Sequence, residues 1–227
     1  SAAPLWDASV TALKTLLLEN QDRRLNVTLV LSNRLVRYLL LPWNPDLTGE
    51  GEWLALAGHA FSSAFGPVAK EWDIGVCATG PQAPRIAIAA DLALLAALRS
   101  ACQAPGVRLV CAQPYLINAF NRTRAAFKET SAWFVIQEPA RLLLSLIENG
   151  RWRLIRSRGT SAVEPEALAE LIDREAALAG LERPCARVVL LGENPPPETR
   201  EIGPYRIENA MHPLAGGFAR LPLAMVL

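Results

Sequence analysis

Leu25-Asn26-Val27-Thr28-Leu29-Val30-Leu31-Ser32-Asn33-Arg34-Leu35-Val36-Arg37-Tyr38-Leu39-Leu40-Leu41 holds two apolar runs, with Pro42 closing the second. The first run alternates apolar and polar residues near its start and is enriched in β-branched side chains, which predicts a strand over residues 25–31. Ser32-Asn33 supplies turn chemistry, so residues 35–41 read as a second strand and the pair as a hairpin. Upstream, Val10, Leu13, Leu16 and Leu17 recur at helical spacing and predict an amphipathic helix over about residues 9–20. Downstream, a helix over 52–65 stops at Gly66-Pro67, and strands near 71–78 and 85–90 follow. Asp91 is placed to cap a helix running to about Cys102, and a strand over 107–112 leads into a helix over 114–127.

The pattern then begins again. Residues 132–137, 141–147 and 152–156 read as three short strands, the last two joined by the turn signal Glu148-Asn149-Gly150. A helix over 164–179 ends at Gly180, and 187–191 is an apolar strand. Pro195-Pro196-Pro197 breaks the chain, and beyond it only residues 205–208 and the very end suggest strands. The expected fold is α/β, with mixed sheets that each open on antiparallel strands and continue through helix crossovers. Its two tandem lobes would span 1–106, with the leading helix, and 107–227, with an irregular C-terminal segment.

Composition narrows the function classes. The 227 residues are 51% hydrophobic, enough for a core without disulfides or a structural metal. A net charge of +1 argues against a dedicated nucleic-acid binder, whose phosphate affinity draws on cationic excess. The apolar runs at 92–98 and 221–227 are far shorter than the roughly 20 residues that span a bilayer. Residues 1–7 lack the basic region and apolar run of a secretory signal, so a soluble, cytoplasmic chain is expected. Cys77, Cys102, Cys111 and Cys185 show no Cys-x-x-Cys spacing and read as small reduced core residues. His59 reads as a partly buried structural histidine, and His212 sits before Pro213 with no serine or cysteine elbow to pair with it. No catalytic residue and no metal site is expected.

Residues 29–38, the Gln113-Pro114-Tyr115-Leu116 turn, and Trp133-Phe134-Val135-Ile136 followed by 142–150 carry a resemblance. They resemble the shrunken branch of the actin-like, ribonuclease-H-like superfamily that contains PilM, MshI and the cytoplasmic domain of GspL. The resemblance implies a cytoplasmic adaptor, peripheral to the inner membrane, of a bacterial type IV pilus-like or type II secretion assembly. Its implied partners are inner-membrane pilus or secretion proteins and an assembly ATPase.

Nucleotide-binding members of that superfamily place an Asp-x-Gly-type turn after the first strand of each lobe, where glycine amides approach the phosphates. Here the first turn would be Leu31-Ser32-Asn33-Arg34, with neither Asp nor Gly, and the second Gln137-Glu138-Pro139-Ala140-Arg141, with Pro139 lacking an amide proton. The adenosine-side loop would begin at Gly192. No cofactor is therefore expected. The alternative, a divergent nucleotide-binding ATPase, would use Glu138, Gly192, Gly216 and Gly217, although Gly216-Gly217 also reads as a simple turn before a last strand. A nuclease is excluded because the stretch from Leu25 to Leu41 holds no carboxylate.

Partner contacts are sought among arginines. Lys14, Lys70 and Lys128 are the only lysines, so twenty of the 23 basic residues are arginines. Arg151, Arg153, Arg156 and Arg158 fall close together, with Arg141 on the neighbouring strand. They form either a carboxylate-recognising surface or a solvated strand face. Trp43, in a proline-bounded loop, either caps the core edge or anchors a partner.

Overall fold

The computed structural model describes residues 3–128, 130–159, 164–181, 185–192 and 199–210. The chain opens with helix α1 (Asp7–Glu19), which buries Val10, Leu13 and Leu17. Strands β1 (Leu25–Leu31) and β2 (Val36–Leu41) follow, then α2 (Glu50–Phe65), a 3₁₀ stretch (Gly66–Glu71), β3 (Trp72–Ala78), β4 (Arg85–Asp91) and α3 (Leu92–Ala101). Asp91 caps α3, its carboxylate accepting from the amides of Ala93 at 2.7 Å and Leu94 at 3.4 Å. Next come β5 (Val107–Pro114), α4 (Tyr115–Thr123) and a 3₁₀ turn (Arg124–Phe127). The chain continues through β6 (Ala132–Glu138), β7 (Arg141–Glu148), β8 (Arg151–Arg158), α5 (Pro165–Leu178), β9 (Arg187–Leu191), β10 (Arg200–Ile202) and β11 (Tyr205–Asn209).

These strands form three sheets. One has six strands in the order β10-β11-β9-β6-β7-β8, one has three in the order β2-β4-β3, and β1 pairs with β5 alone. The large sheet is mixed: β6 runs antiparallel to β7 and parallel to β9. Strands β6, β7 and β9 read as near-continuous apolar runs because both faces are covered there. Trp133, Val135, Leu142, Leu144, Leu146, Val188 and Leu190 face Leu168, Ile172 and Ala176 of α5. Phe134, Ile136, Leu143, Ile147, Val189 and Leu191 face the larger cluster built with α1, α3, α4, β1 and β2. In the three-stranded sheet, Ala87 and Ala89 of the central strand are fully buried, and their small side chains leave room for Trp53, Ala57 and Phe61 of α2. Enclosing a side chain such as Phe61 is worth roughly 2–3 kcal/mol.

Several expectations are corrected. The opening hairpin of the first half does not form: β1 hydrogen-bonds to β5 in parallel from Leu25↔Val107 to Leu31↔Pro114, while β2 pairs antiparallel with β4 from Val36↔Ala90 to Leu41↔Arg85. The turn between them closes on the Leu35 amide to the Ser32 carbonyl, 2.9 Å, and the strands then diverge because each finds a long partner elsewhere. The later hairpin stands as read, with β7 and β8 antiparallel and Asn149 and Gly150 at φ 50° and 75°. The helix over 114–127 is α4 plus a 3₁₀ turn, with Pro114 preceding the helix. Among the cysteines only Cys102 is buried, and Cys111 is exposed. His59 is exposed on α2, because Trp53, Ala57 and Phe61 hold that helix by its other face. His212, the triple proline and a final strand lie outside the described residues.

No helix among the described residues is long and apolar enough to cross a membrane. Nor do those residues group three or more His, Cys, Asp or Glu side chains around a point that could hold a metal ion.

Candidate functional site

The turn after β1 and the end of β6 meet. Ser32 and Asn33 are buried at 8% and 1% exposure, and Glu138, the last residue of β6, at 5%. The Asn33 backbone amide donates to Glu138 Oε2 at 3.0 Å, joining positions 105 residues apart. Asn33 Oδ1 accepts from the Tyr38 hydroxyl at 2.6 Å and from the Leu116 amide at 3.2 Å. That second bond has a clear physical role. Leu116 lies in the first turn of α4, whose free amides need acceptors, and Pro114 before the helix has no side-chain oxygen to offer. Asn33 caps the helix from another element. Ser32 Oγ accepts from the Arg34 amide at 3.2 Å and fixes the turn locally.

Electrostatics follow from this enclosure. Burial pushes the Glu138 carboxyl above its ordinary value, and hydrogen bonding to Ser32 and Asn33 together with the Arg34 charge pulls it partway back. The Tyr38 and Tyr115 hydroxyls are both pushed up, first by burial and then by the nearby Glu138 charge. Both stay protonated near neutral pH, and the Tyr38 hydroxyl donates to Asn33 Oδ1.

The two turns are those at which the resemblance read from the sequence leads one to expect phosphate-binding amides. Here the Asn33 amide is spent on Glu138, and the neighbouring space is taken by Tyr38 and Tyr115. Pro139 follows Glu138 in a two-residue turn with Ala140 at φ 59°. Gly192 comes directly after β9, where a Cβ would meet Gln137 at 3.6 Å, an ordinary contact, so a side chain would fit there. Gly216 and Gly217 lie outside the described residues. The structure thus joins the Ser32-Asn33 turn to Glu138 in a buried polar knot, in which Asn33 Nδ2 has no hydrogen-bond partner among the described residues.

The arginines fall into separate settings. Arg156 and Arg158 meet the fully buried Glu175 side chain of α5, Arg156 at 3.7 Å and Arg158 through both Nε and Nη2. Arg153 pairs with Glu148 at 3.4 Å, and both are exposed enough for water to screen the contact. Arg141 is half-buried and donates to Ser157 Oγ at 3.4 Å, while Arg151 is exposed beside the hairpin turn. Trp43 is 44% exposed. Sequence reasoning missed Asn33, Tyr38, Tyr115 and Glu175 as members of these clusters. An Asn in the turn that ends β1 was the one visible signal, and its partners are set by tertiary structure.

The fold is of the actin-like class, in its PilM- and GspL-like form. The chain is similar to the solved PilM-PilN type IV pilus biogenesis complex, with a TM-score of 0.60 and 16% identity, over 82% of this chain and 68% of that one. It is similar to the cytoplasmic domain of EpsL, an inner-membrane component of the type II secretion system of Vibrio cholerae, with a TM-score of 0.54 and 13% identity over 90% and 76%. A Bacteroides thetaiotaomicron protein with an actin-like ATPase fold and unknown function matches at 0.55 and 10% identity over 82% and 68%. No protein-family model and no curated protein sequence matches the chain.

Proposed function

We propose that this chain is a non-catalytic adaptor of a type IV pilus-like or type II secretion assembly, working in the cytoplasm by binding protein partners. The observation that carries the reading is the 3.0 Å hydrogen bond from the Asn33 amide to Glu138 Oε2, which engages the two would-be phosphate turns with each other. A nucleotide would have to break that bond and uncover a buried carboxylate. Likeness of fold to pilus and secretion components supports the setting. The two-lobe organisation, the inner-membrane partners and the assembly ATPase belong to the same proposal, with exposed Trp43 and the arginines of β8 as contact candidates.

A divergent nucleotide-binding ATPase is the competing reading. The retained carboxylate of Glu138 at the meeting of the turns favours it. Affinity capture with this chain as bait separates the two. Recovery of inner-membrane pilus or secretion proteins supports the adaptor. Recovery of none, together with magnesium-dependent ATP hydrolysis by the purified chain, overturns it.

A further inference from the structure

We infer that the open edge of β3, together with the flank of α2 beside it, is a self-association surface that takes a second copy of this chain. The other outer strands are protected. β5 is bulged at Val110, its register stepping from Val27↔Leu109 to Thr28↔Cys111. β8 is bulged at Arg153 and carries four arginines, and β10 has only three residues. β1 and β2 are packed into the larger core. Bulges, edge charges and short length are the devices by which edge strands avoid pairing, and β3 has none of them. Its seven residues keep an unbroken register with β4 from Trp72↔Asp91 to Ala78↔Arg85, include no proline and carry one charge, Asp73. Among the described residues no second strand pairs with it, and a Cβ at Gly75 would meet nothing within 4 Å.

The helix beside this edge is apolar where it faces it. Phe61 and Phe65 of α2 both meet Trp72, the first residue of β3, with ring centroids 6.1 and 5.3 Å apart. Trp53, near the other end of α2, lies under the Arg85 guanidinium at 4.5 Å, and Arg85 pairs with Ala78, the last residue of β3. The helix therefore runs antiparallel to the strand. Leu54 and Phe65, about three turns apart, share the flank on the β3 side, and with Val68 they are 42–44% exposed. A two-fold axis through Gly75 pairs β3 with its copy in antiparallel fashion, joins the two sheets into one, and brings Leu54 of each copy toward Phe65 of the other. In that register Asp73 stands across from Cys77 and Glu71 across from Thr79, so no like charges are opposed. Lys70 is carried toward the acidic start of the other copy's α2, where Glu50 and Glu52 lie. A foreign strand would satisfy the backbone edge, but the second copy also supplies the apolar flank and the matching charges. The seven strand residues with Leu54, Phe65, Val68 and Lys70 fall short of the roughly 20–30 residues per side of a standard interface, so micromolar association is expected.

The test is sedimentation equilibrium of the full chain from about 1 to 100 μM, a range that brackets micromolar dissociation. A reversible monomer–dimer equilibrium is expected. Gly75→Lys sets two like charges across the two-fold and should raise the dissociation constant about ten-fold. Leu54→Lys removes apolar contact from the helix flank and should weaken the dimer by a similar factor. Gly75→Lys, at a site with open space, carries the test should Leu54→Lys fail to fold. Leu178→Lys, at a 68% exposed leucine on α5, is the control and should change the constant less than about two-fold. A single species of monomer mass across the range overturns the inference and leaves the edge to a strand of another protein. A dimer that ignores Gly75→Lys, or that Leu178→Lys weakens equally, overturns it too, because the contact then lies elsewhere. None of these outcomes touches the adaptor reading, which falls on partner capture and nucleotide hydrolysis.

Discussion

Glu138 and Glu175 are both enclosed by this fold, at 5% and 1% exposure, and the molecule accommodates them in different ways. Glu175 is held by guanidinium groups from β8, so its charge is matched within a sheet-to-helix contact. Glu138 is held by an amide of the β1–β2 turn, with the Arg34 charge as its cationic help, and its carboxyl is pushed up by burial. The first arrangement sets two part-exposed guanidinium groups on one buried carboxylate. The second is buried, and it ties β6 to the turn after β1 and to the start of α4, with the Asn33 side-chain amide left without a partner among the described residues. The difference teaches what each carboxylate does: one is neutralised by charge at a sheet-to-helix contact, and the other is held by neutral donors that join three elements.

The comparison can be broken at either end. Asn33→Ala removes the oxygen that serves both the Tyr38 hydroxyl and the Leu116 amide. Two buried donors are then stranded, at an expected cost of about 3 kcal/mol in urea unfolding. A loss below about 1 kcal/mol would mean that the knot contributes little. Arg158→Ala should cost about 2 kcal/mol, less than for a fully enclosed pair, because the guanidinium is 45% exposed and water can reach the vacated space.

Glu138→Gln sharpens the contrast through pH. A carboxyl whose folded pKa is raised is most comfortable protonated, so the parent protein loses stability as pH climbs from the ordinary carboxylate value, about 4.3, through the raised folded value. The variant carries no such titration. The two should unfold alike near the acid end of that window, and the variant should be the more stable at neutral pH. Parallel stability-versus-pH curves would contradict the raised carboxyl. The smallest effect is expected at Ala140, a left-handed residue in the turn that follows Glu138. Ala140→Gly relieves that conformation at some entropic cost and should gain roughly 0.5 kcal/mol in the same unfolding assay.

Legibility from sequence divides along the same line between local and distant causes. The Asp91 cap, the Asn149-Gly150 turn and the stop at Gly180, at φ 67°, are written in residues a few positions apart, and each is found where local chemistry puts it. The pairing of β1 with β5 is not written that way. Two apolar runs around a Ser-Asn turn specify strands, but which strand lies alongside is decided by burial across 80 residues of chain. The actin-like fold holds with the two strands apart. Glu138 was visible as the one carboxylate kept at a phosphate turn, whereas Asn33, which engages it, carried only a turn signal. Glu175 carries no local signal of its burial, because its arginine partners come from another element.

Isothermal titration of the purified chain with ATP and magnesium reaches the central claim most directly, since it asks whether the Asn33–Glu138 knot opens for a nucleotide. The buried knot predicts no measurable heat of binding for the parent protein. Micromolar binding that disappears in Glu138→Ala would contradict it and make the two turns a working phosphate site.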